Sequence, residues 1–326
     1  MSAMLLQIND LITRFYTEDG VVNAVDDNSL YLNERETLGI VGESGSGKTV
    51  TALSVMGLIE NPGRIEHGKI LFKGQDLLGK SEKQMQEIRG KDIAMVFQDS
   101  LSSLNPTLTV GEQIGRVLRF HTKLSSKRIQ HRVVELLKQV GIPEPEKRAT
   151  NYPHEFSGGM RQRALIAMAI SCNPALLILD EPTTALDVTI EAQIFELVNR
   201  LKEEFGMGTI LITHDLAVVA NSCNRVIIMY AGRIVEEALV DSLYERPLHP
   251  YTRGLLNSIL RLEEETQGTL FSIPGEVPDL IDLPDGCNFS PRCRYANERC
   301  WQLDPQLEEI APGRRAACLR VNDIDE

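Results

Sequence analysis

One eight-residue segment constrains this chain more than any other part of its sequence. It matches the pattern G-x-x-x-x-G-K-[ST] at every fixed position and consists of Gly42, Glu43, Ser44, Gly45, Ser46, Gly47, Lys48 and Thr49. The apolar residues 37–41 before it predict a short buried strand, and residues 50–59 after it predict a helix. A strand, a glycine-rich turn and a helix in this order predict a site for a nucleoside triphosphate.

The residue types explain how this segment would bind phosphate. Gly45 and Gly47 allow backbone conformations, and a close approach of the ligand, that a side chain would block. Successive N–H groups can then surround a polyphosphate, and the helix dipole adds positive potential. We expect Lys48 to reach the β- and γ-phosphates and the Thr49 hydroxyl to hold Mg²⁺. The alternative is a glycine-rich turn with a chance lysine, which the flanking strand and helix disfavour.

Composition and charge narrow the class of protein. The 326 residues suffice for two domains, and a 42% share of hydrophobic residues supports a core of ordinary size. A net charge of −12 argues against a large nucleic-acid interface. No run approaches the roughly 20 apolar residues that span a bilayer, and the first residues lack the pattern of a signal peptide. We therefore expect membrane contact only through partners.

Alternating strand and helix patterns predict an α/β protein with a mostly parallel sheet and helices on its faces. Strands are predicted at residues 5–14, 21–32, 68–76, 93–97, 175–179, 209–213, 226–230 and 234–235. A helical insertion occupies about 107–152, where an apolar stripe recurs at helical spacing in Ile129, Val133, Leu136, Leu137 and Val140. Further helices are predicted from Ser157, at 188–205 and at 252–262, followed by an acidic run at 263–265 and proline-rich loops.

Acidic and aromatic residues mark the ends of several predicted strands. Asp180 and Glu181 follow the strand at 175–179, where carboxylates can meet Mg²⁺ and water over the phosphates. His214 follows the next strand and is expected at the nucleotide edge. Phe15 or Tyr16, at the end of the first strand, could stack on a purine, although spacing alone favours an ordinary strand-end aromatic.

The cysteines are unevenly placed. Cys172 and Cys223 stand alone in apolar surroundings and are expected to be core thiols. Four others crowd the last part of the chain, at Cys287, Cys293, Cys300 and Cys318. Without an export signal a reducing compartment is expected, which favours metal binding over disulfides. Their spacing is neither the C-x-x-C of zinc sites nor a ferredoxin pattern, so zinc, a [4Fe–4S] cluster and no metal all stay open.

Taken together, the ordered motifs Gly42–Thr49, Gln98, Ser157–Met160, Asp180–Glu181, Asp187 and His214 resemble the ATPase subunit of an ABC transporter. The resemblance covers roughly residues 5–241. It implies a RecA-like P-loop core with an antiparallel β subdomain and a helical subdomain at about 100–155. The tail, with His249-Pro250-Tyr251-Thr252 and the proline-rich cysteine segment, resembles the extension of oligopeptide/dipeptide and nickel importer ATPases, most closely their "D" subunits. We therefore predict an ABC ATPase domain at 1–240 and a small, loop-rich, cysteine-containing extension at 241–326.

The resemblance implies a role for each residue of the site. Lys48 and the loop backbone would bind the phosphates, and Thr49, Gln98 and Asp180 would hold Mg²⁺. Glu181 would act as general base, and His214 would contact the γ-phosphate. Phe15 would stack on adenine, with Tyr16 as the alternative. Ser157, Gly158 and Gly159 would act in trans on ATP held by a second ATPase subunit, with Asp187 across the same interface. Met160 departs from the usual L-S-G-G-Q signature and cannot offer the amide's hydrogen bonds, so a weaker composite site is an open alternative.

The function implied is an ATPase on the cytoplasmic face of the membrane that powers import of di- or oligopeptides. Its partners would be a paralogous ATPase subunit, two permease subunits and an extracytoplasmic solute-binding protein, with the helical insertion and the Gln98 region contacting the permeases. The cysteine tail would hold a [4Fe–4S] cluster of structural role. Nickel as the solute and an identical ATPase partner stay open, whereas a soluble ABC ATPase of ribosomes or DNA and a metal-sensing regulator are disfavoured.

Overall fold

A computed structural model describes residues 3–98, 103–184, 186–258 and 273–324. The fold divides into two compact units that interleave along the chain. The first unit contains residues 3–6, 31–37 and 71–212, and the second contains 7–30, 38–70 and 213–324. The predicted end of one helix, at residue 262, and the predicted acidic run at 263–265 lie outside the described residues.

Strands and helices alternate through the described residues much as the sequence predicts. The strands are β1 (Met4–Thr17), β2 (Gly20–Asn33), β3 (Thr37–Val41), β4 (Gly63–Phe72), β5 (Gln75–Asp76), β6 (Ile93–Val96), β7 (Leu176–Asp180), β8 (Gly208–Thr213), β9 (Arg225–Tyr230), β10 (Arg233–Leu239), β11 (Glu308–Ala311) and β12 (Arg314–Ala316). The α-helices are α1 (Lys48–Met56), α2 (Glu82–Ile88), α3 (Val110–His121), α4 (Ser126–Gln139), α5 (Pro145–Arg148), α6 (Gly158–Ala169), α7 (Val188–Phe205), α8 (Leu216–Ser222), α9 (Val240–Glu245), α10 (Pro250–Asn257) and α11 (Glu298–Gln302).

The first unit is built on a parallel sheet in the order β8-β7-β6. Every residue of β7 and β8 is buried, which is why both read as continuous apolar runs rather than alternating ones. The register places Asp180 opposite Ile212, so β7 and β8 end at nearly the same level. The residues that follow β7 therefore lie at the carboxyl-terminal edge of this sheet.

The helical insertion forms where apolar residues recur at helical spacing in the sequence. The apolar stripe of α4 is buried through Ile129, Val133 and Leu136, and it packs against α3 and α6. The helix ends where Gly141 adopts a φ of +75°, a conformation that favours glycine. No helix among the described residues is both long enough and apolar enough to cross a membrane.

The second unit contains a mixed sheet in the order β11-β12-β10-β9-β3. Strand β3 runs parallel to β9, and β10, β12 and β11 then follow in antiparallel order. The tail is largely loops, as predicted, but β11 and β12 were not predicted. Their residues are mostly charged, and pairing is supported by a distant partner: Arg315 donates to the buried Glu237 of β10 over 3.0 Å. In the same unit, β1 lies between β2 and β4 in a separate sheet.

A buried carboxylate joins β10 to α10 within the second unit. Glu236 is 0% exposed and accepts the backbone N–H groups of Leu248 and His249, each over 2.8 Å. Burial raises the pKa of Glu236, and these two hydrogen bonds oppose the shift. His249 then caps α10, because its Nδ1 accepts the Tyr251 N–H, and burial lowers the pKa of His249 to about 3. A neutral imidazole can make this cap, whereas a protonated one cannot.

We predict that Glu236→Gln destabilises the protein by about 1–3 kcal/mol, because an amide cannot accept both N–H groups and leaves one buried donor unpaired. The measurement is chemical or thermal unfolding. Glu245→Gln, at an exposed position of α9, is the matched control and is expected to unfold like the wild type. Equal stability of the two variants would contradict the structural role of Glu236.

Candidate functional site: a phosphate loop and a catalytic carboxylate

The phosphate loop connects the buried strand β3 to α1 in the second unit. Gly47 has a φ of +99°, and a Cβ there would lie 2.3 Å from the Ala24 carbonyl oxygen. Gly42 is equally confined, since its Cβ would meet the Met229 carbonyl oxygen at 2.2 Å. Gly45, with a φ of +78°, faces open space. The loop therefore follows a path that glycine permits, with its open side at Gly45.

Lys48 lies at the start of α1 and is 5% exposed. Its Nζ donates to two carbonyl oxygens of the loop, those of Gly42 at 2.8 Å and Glu43 at 2.9 Å, and approaches Ser46 Oγ at 3.4 Å. The ammonium group is thus already held at the loop. No side chain caps the first turn of α1, and the positive end of this helix dipole lies at the loop.

The loop residue Glu43 has partners that the sequence analysis did not foresee. Its backbone N–H donates to the Tyr251 hydroxyl over 2.9 Å, and its carboxylate accepts two hydrogen bonds from Arg292. Both partners come from the chain beyond residue 240. Local sequence patterns carry no signal for contacts of this separation.

The first unit holds the predicted catalytic carboxylate. Asp180 is the last residue of β7 and is 2% exposed, and Glu181 follows it with a φ of +44°. This left-handed conformation is unfavourable for a residue with a side chain. Here the Glu181 N–H donates to the Ile212 carbonyl of β8 over 2.9 Å. The strained turn directs Glu181 away from the strand direction of β7.

Two side chains hold the Glu181 carboxylate. Gln98 Nε2 donates to Glu181 Oε2 over 2.8 Å, and the Thr184 hydroxyl donates to the same oxygen over 3.2 Å. The structure therefore brings together Gln98 and Glu181, which are 83 residues apart in the sequence. Because Gln98 donates through its nitrogen, its carbonyl oxygen keeps the capacity to bind a cation.

The predicted signature lies at the start of α6, also in the first unit. The Ser157 hydroxyl caps the helix by accepting the Met160 N–H over 3.3 Å. The glycines sit against the start of α7: a Cβ on Gly159 would lie 2.8 Å from Ile190. Asp187 caps α7 by accepting the Ile190 N–H over 2.9 Å. The signature and Asp187 thus form one surface at two adjacent helix N-termini.

The aromatic and histidine predictions concern the second unit. Tyr16 is exposed, donates to Glu66 over 2.9 Å and has Arg64 over its ring, whereas Phe15 is half-buried beside Gly63. His214 is exposed directly after β8. Which aromatic residue stacks on adenine, and the contact of His214 with phosphate, stay predictions.

The four tail cysteines are brought together in the second unit. Their side chains line one cavity of about 20 Å³, together with Phe289 and Arg320. All four thiols are free, and burial raises the pKa of Cys287 to about 12 and of Cys318 to about 11. Within the described residues, no group of three or more His, Cys, Asp or Glu side chains is arranged to hold a single metal ion. Four thiols are the kind of donor that both zinc ions and iron–sulfur clusters take.

Two family profiles match this chain. The ABC transporter family matches residues 25–184, which include the phosphate loop, Gln98, the signature and Glu181. The C-terminal region of oligopeptide/dipeptide transporters matches residues 235–300, which include Tyr251 and Arg292. The two matches cover most of the elements described above.

Known proteins resemble the chain over nearly its whole length. It is 50% identical to the oligopeptide transport ATP-binding protein OppD of Escherichia coli, over 97% of this chain and 93% of that protein. It is 52% identical to OppD of Bacillus subtilis, over 94% of this chain and 86% of the relative. A probable peptide ABC transporter ATP-binding protein of Sinorhizobium fredii is 50% identical over 98% of this chain and 96% of its own length.

Solved structures of ATP-binding cassettes are also similar to this chain. The dimeric ATP-binding cassette MJ0796, in a post-hydrolysis state with ADP and phosphate, is 27% identical with a TM-score of 0.66, and the match covers 72% of this chain and 99% of the cassette. The cbiO1 subunit of Clostridium perfringens is 27% identical with a TM-score of 0.64, covering 75% and 92%. The chain therefore belongs to the ATP-binding subunits of ABC transporters, in the group that carries the oligopeptide/dipeptide transporter C-terminal region.

Proposed function

We propose that this chain hydrolyses ATP to power the import of di- or oligopeptides through a binding-protein-dependent ABC transporter. The observation that carries the catalytic part is the Glu181 carboxylate, held by Gln98 and Thr184 at the end of β7 in a chain with a complete phosphate loop. The solute class is supported by the relatives, which are named as oligopeptide transport proteins. Nickel is the alternative solute.

The proposed chemistry assigns one task to each group. Lys48 exchanges its two loop carbonyls for phosphate oxygens, and the positive end of the α1 dipole favours the remaining charge. The family resemblance implies that Thr49, Gln98 and Asp180 would hold Mg²⁺, and each side chain offers the oxygen donor that Mg²⁺ prefers. Bound Mg²⁺ would neutralise charge on the phosphates. Glu181 accepts a proton from the attacking water, and His214 contacts the γ-phosphate.

The signature surface is proposed to act on a second ATPase subunit. Ser157 and the two glycines that follow would close on ATP held by the partner's phosphate loop, with Asp187 beside them. Support comes from their joint exposure at the N-termini of α6 and α7, where backbone N–H groups favour an anion. The MJ0796 cassette is described as a dimer. We propose a paralogous partner, so that the pair is a heterodimer.

The remaining partners are two permease subunits and an extracytoplasmic solute-binding protein. The helical insertion carries a groove of about 400 Å³ between α3 and α4, lined by Gly111, Gly115, Ile129 and Val133 among others. A groove with small and apolar residues suits a helix of a permease. We propose that the chain binds the permeases through this groove, at the cytoplasmic face of the membrane.

The four tail cysteines are proposed to hold a [4Fe–4S] cluster of structural role, with Zn²⁺ as the alternative. Their common cavity supports a shared ligand. Because burial raises the pKa of Cys287 and Cys318, the free thiols stay protonated at neutral pH, and binding would release protons. A bound group would supply cross-links to a segment that is mostly loops.

We predict that Glu181→Gln retains ATP binding but lowers the rate of ATP hydrolysis at least about 100-fold, because the amide cannot accept the proton of the attacking water. The assay is phosphate release by the assembled transporter, beside a nucleotide-binding measurement. Glu196→Gln, on an exposed position of α7, is the matched control. Normal turnover with Gln at position 181 would remove the general-base assignment.

The same variant tests the solute in cells. With the native copy replaced by Glu181→Gln, we expect uptake of labelled di- and oligopeptides to be lost while uptake of labelled nickel persists. Loss of nickel uptake alone would keep the ATPase mechanism and overturn the peptide assignment. Cells that carry Glu196→Gln should import normally.

We predict that protein purified without oxygen is brown and carries roughly four iron atoms per chain, as a [4Fe–4S] cluster requires. Cys293→Ser should lose colour and iron together, because it removes one of four thiolates. Cys172→Ser, which changes an isolated thiol, should keep both. Stoichiometric zinc without iron would contradict the cluster.

A further inference from the structure

Glu43, the first variable residue of the phosphate loop, is held by two residues from the far end of the chain. Two nitrogens of Arg292 donate to its carboxylate, over 2.7 and 3.2 Å. The Tyr251 hydroxyl accepts its backbone N–H over 2.9 Å. Both the side chain and the backbone of Glu43 are therefore fixed from outside the loop.

Arg292 is itself a rigid anchor. Its side chain is only 4% exposed, its Nε donates to the Pro274 carbonyl over 3.0 Å, and its guanidinium lies 5.8 Å from the centre of the Tyr230 ring. A guanidinium that is buried, stacked on an aromatic ring and hydrogen-bonded through its nitrogens is held in one orientation. The position of Arg292 therefore determines the position of the Glu43 carboxylate.

The contacts of Arg292 and Tyr251 with Glu43, here called the clamp, also affect Lys48, the lysine proposed to bind phosphate. The Glu43 carbonyl is one of the two loop carbonyls that accept from Lys48 Nζ, at 2.9 Å. A displaced Glu43 would move this acceptor and the ammonium group with it. The two residues outside the loop thus set the geometry in which Lys48 waits for the ligand.

Charge gives the clamp a second effect. Glu43 puts a carboxylate into the loop that receives a polyanion, and an unpaired carboxylate there would repel the phosphates. Arg292 neutralises this charge in a partly buried pair, where screening by solvent is weak. The loop can keep an acidic residue only while the guanidinium stays in place.

We propose that Arg292 and Tyr251 are positioning residues for ATP: they shape the phosphate loop and cancel the charge of Glu43 before the nucleotide binds. This inference rests on the proposed ATP site at the loop. It makes nucleotide affinity depend on the folded segment after residue 240, although that segment contributes no group to the phosphates. Catalysis by Glu181, once ATP is bound, does not require the clamp.

The test measures the Kd for ATP of the full-length chain and the ATPase parameters of the assembled transporter. Arg292→Met should raise the Kd for ATP, and the KM with it, about tenfold, which is the scale of one lost charge-assisted pair. The kcat at saturating ATP should stay near that of the wild type. Adding Glu43→Gln to Arg292→Met removes the unpaired carboxylate and should return most of the lost affinity.

Arg294→Met is the matched control, since Arg294 is two residues away, is exposed and pairs with Tyr295 rather than with the loop. It should leave the Kd unchanged. An unchanged Kd in folded Arg292→Met would overturn the inference, as would a double variant that binds ATP no better than Arg292→Met alone.

If Arg292→Met does not fold, Tyr251→Phe carries the test, because it removes a single oxygen. A Kd for ATP raised several-fold supports the inference, and an unchanged Kd overturns it. Failure of the proposed function looks different: the wild-type chain would then not bind ATP, and the assembled wild-type transporter would not hydrolyse it.

Discussion

The phosphate loop depends on one electrostatic constraint: several negative charges must be received by backbone N–H groups and the ammonium group of Lys48 without rebuilding the loop backbone. In the structure, the loop and Lys48 are prepared for this role before phosphate binds. Lys48 is buried and bonded to two loop carbonyls, and glycines occupy the positions where a side chain would strike the carbonyls of Ala24 and Met229. Since water is largely excluded from Lys48, its attraction for phosphate is weakly screened. Preparation of this kind lowers the ordering cost of binding.

A second constraint acts on Glu181, the proposed general base. Glu181 adopts a conformation that costs free energy for any residue with a Cβ, and it is retained by the bond from its N–H to β8 and by the donors at its carboxylate. Gln98 restricts the rotamers of Glu181 and leaves its own carbonyl oxygen available for a cation. One amide side chain can therefore orient the proposed base and still offer an oxygen to a cation.

Local patterns predicted most of the helices and strands and located the motifs of the candidate site. The phosphate loop, β7 with its terminal acids and the stripe on α4 are encoded within a few residues, so spacing and burial patterns suffice to find them. Helix α2 was missed although Ser81 and Gln84 form a capping box, which is a local signal. Strands β11 and β12 were missed for a different reason: their charged residues become strand only by pairing with β10. The domain boundary at 240/241 stays a prediction.

The contacts of Glu43 show why the rest of the site could not be predicted. Arg292 is 249 residues away, and in sequence it is one basic residue among many near a cysteine. Its meaning appears only once Tyr230, Tyr251 and Phe289 are seen to form one aromatic core around it in the second unit. Within that unit the residues after 240 do not pack as an appendage. They complete the core under β9 and hold the loop that follows β3, so the shape of the loop is a property of the packed unit and not of the motif alone.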